Sequence, residues 1–228
     1  MIVSYLTTKE VTSKNAPING LVGWWPFDTS FVTDKIYDRS GRANHGYFVG
    51  GATSSAIVAG KLGKALKFDG IGNYIDAEVA NFPAGASSRT VALWVKRSTS
   101  ANFTENDYLF RYGNPASAQG FGLYSNIGAT TFTFYGNAYD FDTGITLGDT
   151  NWHQIILTFD GTNLRAYKDG VLISTTDRSG LNTVLSTYKF RVGAGLSPSQ
   201  YFNGLIDDVR IYNRALTYAE IQQLYNSR

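Results

Sequence analysis

Cysteine is absent from the sequence. That excludes disulfides, thiolate nucleophiles and cysteine metal sites, and leaves the redox compartment open, because a chain of this length can build a core without covalent staples. Histidine is confined to His45 and His153. So distant a pair cannot make a zinc site without carboxylates placed beside it, and both read as structural, His153 as a packed or edge residue of a strand. No stretch is long or apolar enough to span a membrane. The start, Met1 to Glu10, lacks a basic segment followed by an apolar run, so no classical signal peptide is read there. Lys and Arg form no cluster and the formal charge is only +2, which argues against nucleic acid or an acidic membrane surface as the main partner; without a long apolar stretch no membrane insertion is expected either. Glutamate is scarce: Glu10, Glu78, Glu105 and Glu220 each stand alone.

What is present points to strands. Tyr (15), Phe (14) and Gly (24) are abundant, a balance that favours sheets and turns over helices. Residues 1–17 read as a Thr/Ser/Lys-rich arm, residues 18–228 as one domain. Gly20 to Phe27 is the first strand, which Pro26 makes an edge strand or one ending at a bulge. Asp38 to Gly46 is turn-rich. Arg89 to Arg97 is a near-continuous apolar run, the mark of a central strand. Tyr108 to Arg111, Phe121 to Ser125, Thr131 to Tyr135 and Tyr139 to Phe141 alternate with Gly/Asn turns. Asn151 to Phe159, Leu164 to Lys168 and Val171 to Ile173 are joined by Asp160-Gly161 and Asp169-Gly170, two hairpin turns that make a meander. Thr217 with Glu220 is a capping box, and Ile221, Leu224 and Tyr225 give the following helix an apolar stripe. The sum is an all-β, two-sheet antiparallel sandwich with one short C-terminal helix.

The last strand, Gly204 to Leu216, carries a puzzle. Alternation places Asp207 on the face of Val209 and Ile211, and Asp208 on that of Arg210 and Tyr212. If the first face is the core, Asp207 needs a cation, a guanidinium or backbone donors. Asp208 with Arg210 reads as a solvated pair.

Four segments, Gly20 to Asp28 (GLVGWWPFD), Asp38 to Gly46 (DRSGRANHG), Ala65 to Asp76 (ALKFDGIGNYID) and Gly204 to Leu216 (GLIDDVRIYNRAL), together resemble the laminin-G-like domains of the concanavalin A-like lectin and glucanase superfamily. The resemblance spans roughly residues 20–226 and implies a jelly roll of two antiparallel sheets. Its members mostly bind rather than catalyse, and their partners are glycans, other proteins or lipid headgroups.

The resemblance also implies Ca²⁺ where the first and last strands meet. The matching ligands are Asp28, Asp207 or Asp208, and Asn44 with its loop, a set of hard oxygens suited to that ion. The alternative leaves Asp207 accepting hydrogen bonds from Arg210, His45, a Trp indole or loop amides, with no metal. Asp69, Asp160 and Asp169 precede glycine and read as turn formers.

Glucanases of the superfamily carry closely spaced catalytic carboxylates, Glu-x-Asp-x-x-Glu. The isolated glutamates do not match that pattern, and Asp140 with Asp142 reads as an acidic turn, so the chain is expected not to be an enzyme. Its aromatic-rich middle is the expected recognition region, with Tyr112, Tyr124, Tyr135, Asn137, Tyr139 and Asp140 as ligand-binding residues. Tyr faces cover sugar C–H groups while Asn and Asp meet hydroxyls; the alternative for any single one of them is a place in the core. The function expected is a lectin-like module binding a glycan or surface receptor, outside the cell or on a cell or virion surface. The alternative is a structural or decoration protein of a virion or pilus-like assembly, docked to a neighbouring protein through residues 1–17.

Overall fold

The structure, a computed structural model, describes residues 16–28, 34–51, 54–185, 187–197 and 199–227. Apart from Ala16 and Pro17, the arm expected over residues 1–17 lies outside the described residues. Among the described residues sixteen strands and one α-helix follow in order. They are β1 (Leu21–Trp25), β2 (Lys35–Ile36), β3 (Gly46–Val49), β4 (Ile57–Ala59), β5 (Lys64–Asp69) and β6 (Tyr74–Ala77). Next come β7 (Arg89–Arg97), β8 (Tyr108–Gly113), β9 (Gly120–Ser125), β10 (Thr131–Tyr135) and β11 (Phe141–Thr146). The chain closes with β12 (His153–Phe159), β13 (Asn163–Lys168), β14 (Val171–Asp177), β15 (Phe190–Val192), β16 (Asn203–Tyr212) and α1 (Tyr218–Asn226).

Sheet A runs β14-β13-β12-β7-β16-β5-β4, with β1 added to β16. Sheet B runs β11-β10-β9-β8-β15-β6-β3-β2. All pairings are antiparallel, and the inward residues of both sheets form one continuous apolar core that includes Trp25, Phe68, Leu93, Phe110, Phe134 and Val209. This is the two-layer sandwich that the alternating patterns predict. A second, smaller core lies on the outside of sheet A. There α1 lays Ile221 and Leu224 on Ala92, Ile156, Tyr167 and Tyr212, and Tyr225 stacks on Trp94 at 5.6 Å. The predicted capping box forms: Thr217 Oγ1 accepts from the Glu220 N–H and Glu220 accepts from the Thr217 N–H.

Proline sets the limit of β1. The strand stops at Trp25, before Pro26, and pairs with β16 alone. The turn after β10 falls later than the aromatic pattern suggests. Asn137 and Ala138 take left-handed φ of 54° and 61°, and Asp140 accepts the Gly136 N–H at 2.6 Å. Residues 136–140 therefore make a hairpin loop, and β11 begins at Phe141 rather than occupying Tyr139 to Phe141.

The Asp207 expectation is corrected by a bulge. Asp207 lies opposite Trp94 and Arg210 opposite Ala92, so β16 carries one more residue than β7 in this interval. Asp208 absorbs it at φ 48°. An extra residue reverses the alternation. Ile206 and Val209 both enter the sandwich core, while Asp207 is not among its members and instead shares the Trp94 side of the sheet.

Candidate functional site

β16 is longer than either neighbour on its free edge. Its first half, Asn203 to Ile206, pairs with β5; its second half, Val209 to Tyr212, pairs with β1. Asp207 and Asp208 sit at the handover. The loop Gly60-Lys61-Leu62-Gly63-Lys64 fills it: the Leu62 N–H donates to Asp207 Oδ2 at 2.8 Å and the Lys64 N–H to Asp28 Oδ1 at 2.9 Å. Both glycines are required by these contacts. A Cβ on Gly60 would lie 2.6 Å from Asp207 Oδ2, and one on Gly63 would collide with Asp28 Oδ1. Asp207 is fully buried, and its Oδ1 has no hydrogen-bond partner. Burial, offset in part by the Leu62 N–H and reinforced by the charges of Asp208 and Asp28, pushes its carboxyl up to about 8.

The other two predicted metal ligands have different partners. Asp208 is held by Arg210 through Nε at 2.9 Å and Nη2 at 3.0 Å, and it accepts the Trp24 indole N–H at 2.7 Å. The pair is buried, not solvated as its pattern suggests, with side-chain exposures of 2% and 5%; the Trp24 ring lies over the guanidinium at 4.5 Å. Asn44 donates its amide to the Val22 carbonyl at 2.8 Å, and its own carbonyl accepts the Trp25 indole N–H at 3.1 Å. The structure thus brings Asp28 and Asp207 to one loop and turns Asn44 towards β1. Among the described residues no group of three or more His, Asp or Glu side chains is close enough to hold a metal. Two carboxylates and the loop carbonyls are nevertheless hard oxygen donors of the kind calcium takes, and the orphaned Asp207 Oδ1 is an atom a cation would satisfy.

The predicted ligand-binding residues divide between the two faces of sheet B. A row of cross-strand neighbours, Phe134, Leu123, Phe110, Val192, Ile75 and Phe48, faces the core. The next row lies on the opposite side of the sheet and reads Tyr135, Gly122, Arg111, Arg191, Asp76 and Tyr47, the first three buried and only Tyr47 exposed. Tyr124 extends this surface: it stacks on Tyr108 at 5.1 Å and donates to Asp140 Oδ2 at 3.4 Å. Tyr108 meets Tyr135 edge-on at 5.5 Å. Burial and the Asp140 charge push the Tyr124 phenol up to about 12. Tyr124, Tyr135 and Asp140 are therefore brought together, with Asn137 in the adjoining loop.

Tyr112 is not part of that surface, which corrects the expectation. It is fully buried in the sandwich core and meets Arg89 at 3.2 Å. A register shift between Tyr108 and Phe110 turns Tyr108 outwards and leaves Phe110 and Tyr112 pointing in. Tyr139 packs against the core from the side, under the Arg178 guanidinium at 5.0 Å. Sequence reasoning missed Arg111, Arg191 and Asp76. Their signal, charge at alternate positions among aromatics, is visible only once three strands are set in register.

Both histidines are engaged by hydrogen bonds within the fold. His153 lies between Asp169 at 2.6 Å and Asp149 at 3.0 Å, tying the Asp169-Gly170 turn to the strand before it. His45 Nδ1 accepts the Asp38 N–H at 3.2 Å. Asp38 itself organises the turn-rich loop, accepting from Trp24, Ser40 and Asn44 backbone N–H groups.

A family model described as the concanavalin A-like lectin/glucanases superfamily matches residues 69–222. No curated protein matches the sequence. Among solved structures, domain 4 of an extracellular arabinanase from Geobacillus stearothermophilus, in complex with arabinotriose, superposes with a TM-score of 0.71 at 21% identity, covering 90% of this chain and 98% of that one. The binding domain of a paraclostridial mosquitocidal protein gives 0.70 at 19% identity, over 94% of this chain and 52% of that one. The ligand-binding domain of botulinum neurotoxin serotype D, in complex with N-acetylneuraminic acid, gives 0.68 at 14% identity, over 96% and 53%. The chain thus spans about half the length of these toxin domains and nearly all of the arabinanase domain. At such identities the likeness is one of fold.

Proposed function

The chain belongs to the concanavalin A-like lectin/glucanases superfamily, and from that premise we propose that it is a non-catalytic binding module that holds a glycan on the outer face of sheet B. The observation that carries this reading is the half-buried Tyr124 ring beside the exposed Asp140, backed from beneath by the buried rings of Tyr108 and Tyr135. The Tyr124 phenol, held flat by its stacking on Tyr108, offers an apolar face for sugar C–H groups, and its hydroxyl and the Asp140 carboxylate meet sugar hydroxyls. The arabinanase domain and the serotype D toxin domain, each solved with a saccharide, support the same class of partner. A surface receptor is the second partner class, and the setting is extracellular or at a cell or virion surface. No described helix is long and apolar enough to cross a membrane.

The non-catalytic reading is supported by the environments of the acids on this surface. Asp140 accepts from Gly136 and Tyr124, and Asp142 accepts from the Gly144 N–H. Both are exposed turn acceptors, not the unequal pair, one kept protonated, that glycoside hydrolysis needs.

Calcium is proposed at the strand handover, with Asp28 and Asp207 as carboxylate ligands and carbonyls of the Gly60 to Lys64 loop completing the set. There the ion would replace the proton that the Asp207 carboxyl otherwise keeps and pin the first and last strands to one loop. A glycan array read with and without chelator tests both parts: the reading expects saccharide binding, weakened where the chelator loosens the domain, and silence across the array contradicts it.

A further inference from the structure

The arginines of the domain differ in how their charge is met. Arg89, fully buried, donates to the carbonyls of Ser87, Pro83 and Gly85 and to Tyr112 Oη. Arg97 donates to the carbonyls of Leu147 and Ala101. Arg210 has Asp208. Arg191 has both oxygens of Asp76, at 2.9 Å and 3.2 Å, and the Gly195 carbonyl at 2.7 Å.

Among the buried arginines Arg111 is the exception. It is 1% exposed, donates through Nη2 to its own strand's Gly113 carbonyl at 2.8 Å, and leaves Nε with no partner. None of the ion pairs among the described residues includes it. Instead its guanidinium lies between the rings of Tyr135 at 5.3 Å and Tyr188 at 5.7 Å. It also stands directly opposite Arg191, a cross-strand placement in which like charges repel.

A buried guanidinium that lacks an anion and faces a second one is costly to keep, and ring faces compensate only part of that cost. A glycine, Gly122, is its neighbour on the other side, so no side chain separates Arg111 from Tyr135 along the row. On one side the cover over the guanidinium is a surface residue, Tyr188, 37% exposed. We propose that Arg111 is the anion-recognising centre of the sheet B surface, and that the glycan bound there carries a carboxylate, as uronic and sialic acids do. The sugar ring lies on the half-buried Tyr124 while its carboxylate accepts from the unpartnered Arg111 Nε–H. Two parallel N–H donors match a carboxylate, and the geometry is one that lysine cannot reproduce.

This inference rests on the glycan reading above and is separable from it. The test compares matched saccharides: trigalacturonate against its methyl ester, and sialyllactose against lactose. Titration calorimetry on the full chain is expected to give tighter binding to at least one free acid than to its neutral partner, by roughly tenfold to a hundredfold, the range of a charge-assisted pair. The same acid is expected to raise the melting temperature of the wild-type protein more than the neutral sugar does. Arg111→Met is expected to erase the preference while folding at an equal or higher melting temperature, because the variant no longer buries an unpaired charge. Arg111→Lys is expected to keep only part of the preference. Equal binding of acid and neutral partner, or a preference that survives Arg111→Met, overturns the assignment and leaves glycan binding intact. Absence of binding for all four saccharides counts against both.

Discussion

Asp28 and Asp207 come from opposite ends of the domain, yet each accepts a backbone N–H from the same loop, Asp28 from Lys64 and Asp207 from Leu62. The loop is shaped by the two carboxylates and joins the first strand to the last. Its electrostatics set a pH dependence. The folded Asp207 carboxyl titrates at about 8, above the unfolded value of about 3.9. In chelator, the stability contributed by its protonated form is therefore fully present below that unfolded value and is lost as the pH rises through the folded one. Calcium displaces the proton, so its stabilising effect is expected to grow from about pH 6 to about pH 9. An ion at about a hundred times its Kd adds roughly 2.7 kcal/mol, or roughly 5–10 °C for a domain of this size. Asp207→Asn is expected to remove both the calcium effect and this pH dependence while remaining folded. A melting temperature indifferent to EDTA in both proteins would show that Asp207 is satisfied by its proton and the Leu62 N–H alone.

Gly63 tests the loop from the other side. Its φ is +65°, and a Cβ would meet Asp28 Oδ1. Gly63→Ala is expected to cost about 1–3 kcal/mol, read by urea unfolding. A loss below about 0.5 kcal/mol, the range of an ordinary surface change, would mean the loop yields without holding Asp28.

Asp208 and Arg210 form the buried ion pair at the bulge. Asp208→Ala removes the carboxylate that pairs with Arg210 and accepts the Trp24 indole N–H, and is expected to destabilise by about 3–5 kcal/mol. The double substitution Asp208→Ala with Arg210→Met is expected to recover much of that loss. A single variant as stable as wild type in denaturant titration would contradict the buried geometry.

Glu220 caps the terminal helix and binds Arg214 with both oxygens, at 2.7 Å and 2.6 Å. The Arg214 guanidinium holds its carboxyl down at about 2, so its contribution is present above the ordinary carboxylate range and is lost as the pH falls towards 2. Glu220→Ala is expected to cost about 1 kcal/mol near neutral pH, with the difference from wild type shrinking in acid. An undiminished difference at low pH would contradict the ion-pair origin.

Much of this architecture was legible because its determinants are local. Val91 to Val95 is an unbroken apolar run, and Arg89 to Arg97 around it is the central strand β7 with those limits. The Asp-Gly turns define the meander, and Thr217 with Glu220 starts α1. What escaped sequence reading depends on register. The bulge at Asp208 reverses alternation, so the face of Asp207 could not be counted from Val209. A similar shift after Tyr108 turns Tyr112 inwards, although Tyr108 and Tyr112 share one phase of the pattern. Arg111, Arg191 and Asp76 lie far apart in the chain and become neighbours only when β8, β15 and β6 pair. The buried state of Asp208 and Arg210 is likewise a matter of what packs over them, Trp24 above all, which strand alternation does not encode.

The most direct measurement of the central claim is the affinity of the tightest saccharide from a glycan array for wild type, Tyr124→Ala and Tyr124→Phe, by titration calorimetry. The account predicts that Tyr124→Ala weakens binding by roughly tenfold or more, as loss of an aromatic platform does, at a melting temperature close to wild type. It predicts that Tyr124→Phe, which keeps the ring stacked on Tyr108, retains most of the affinity. An affinity unchanged by Tyr124→Ala would place the saccharide elsewhere on the domain and contradict the account.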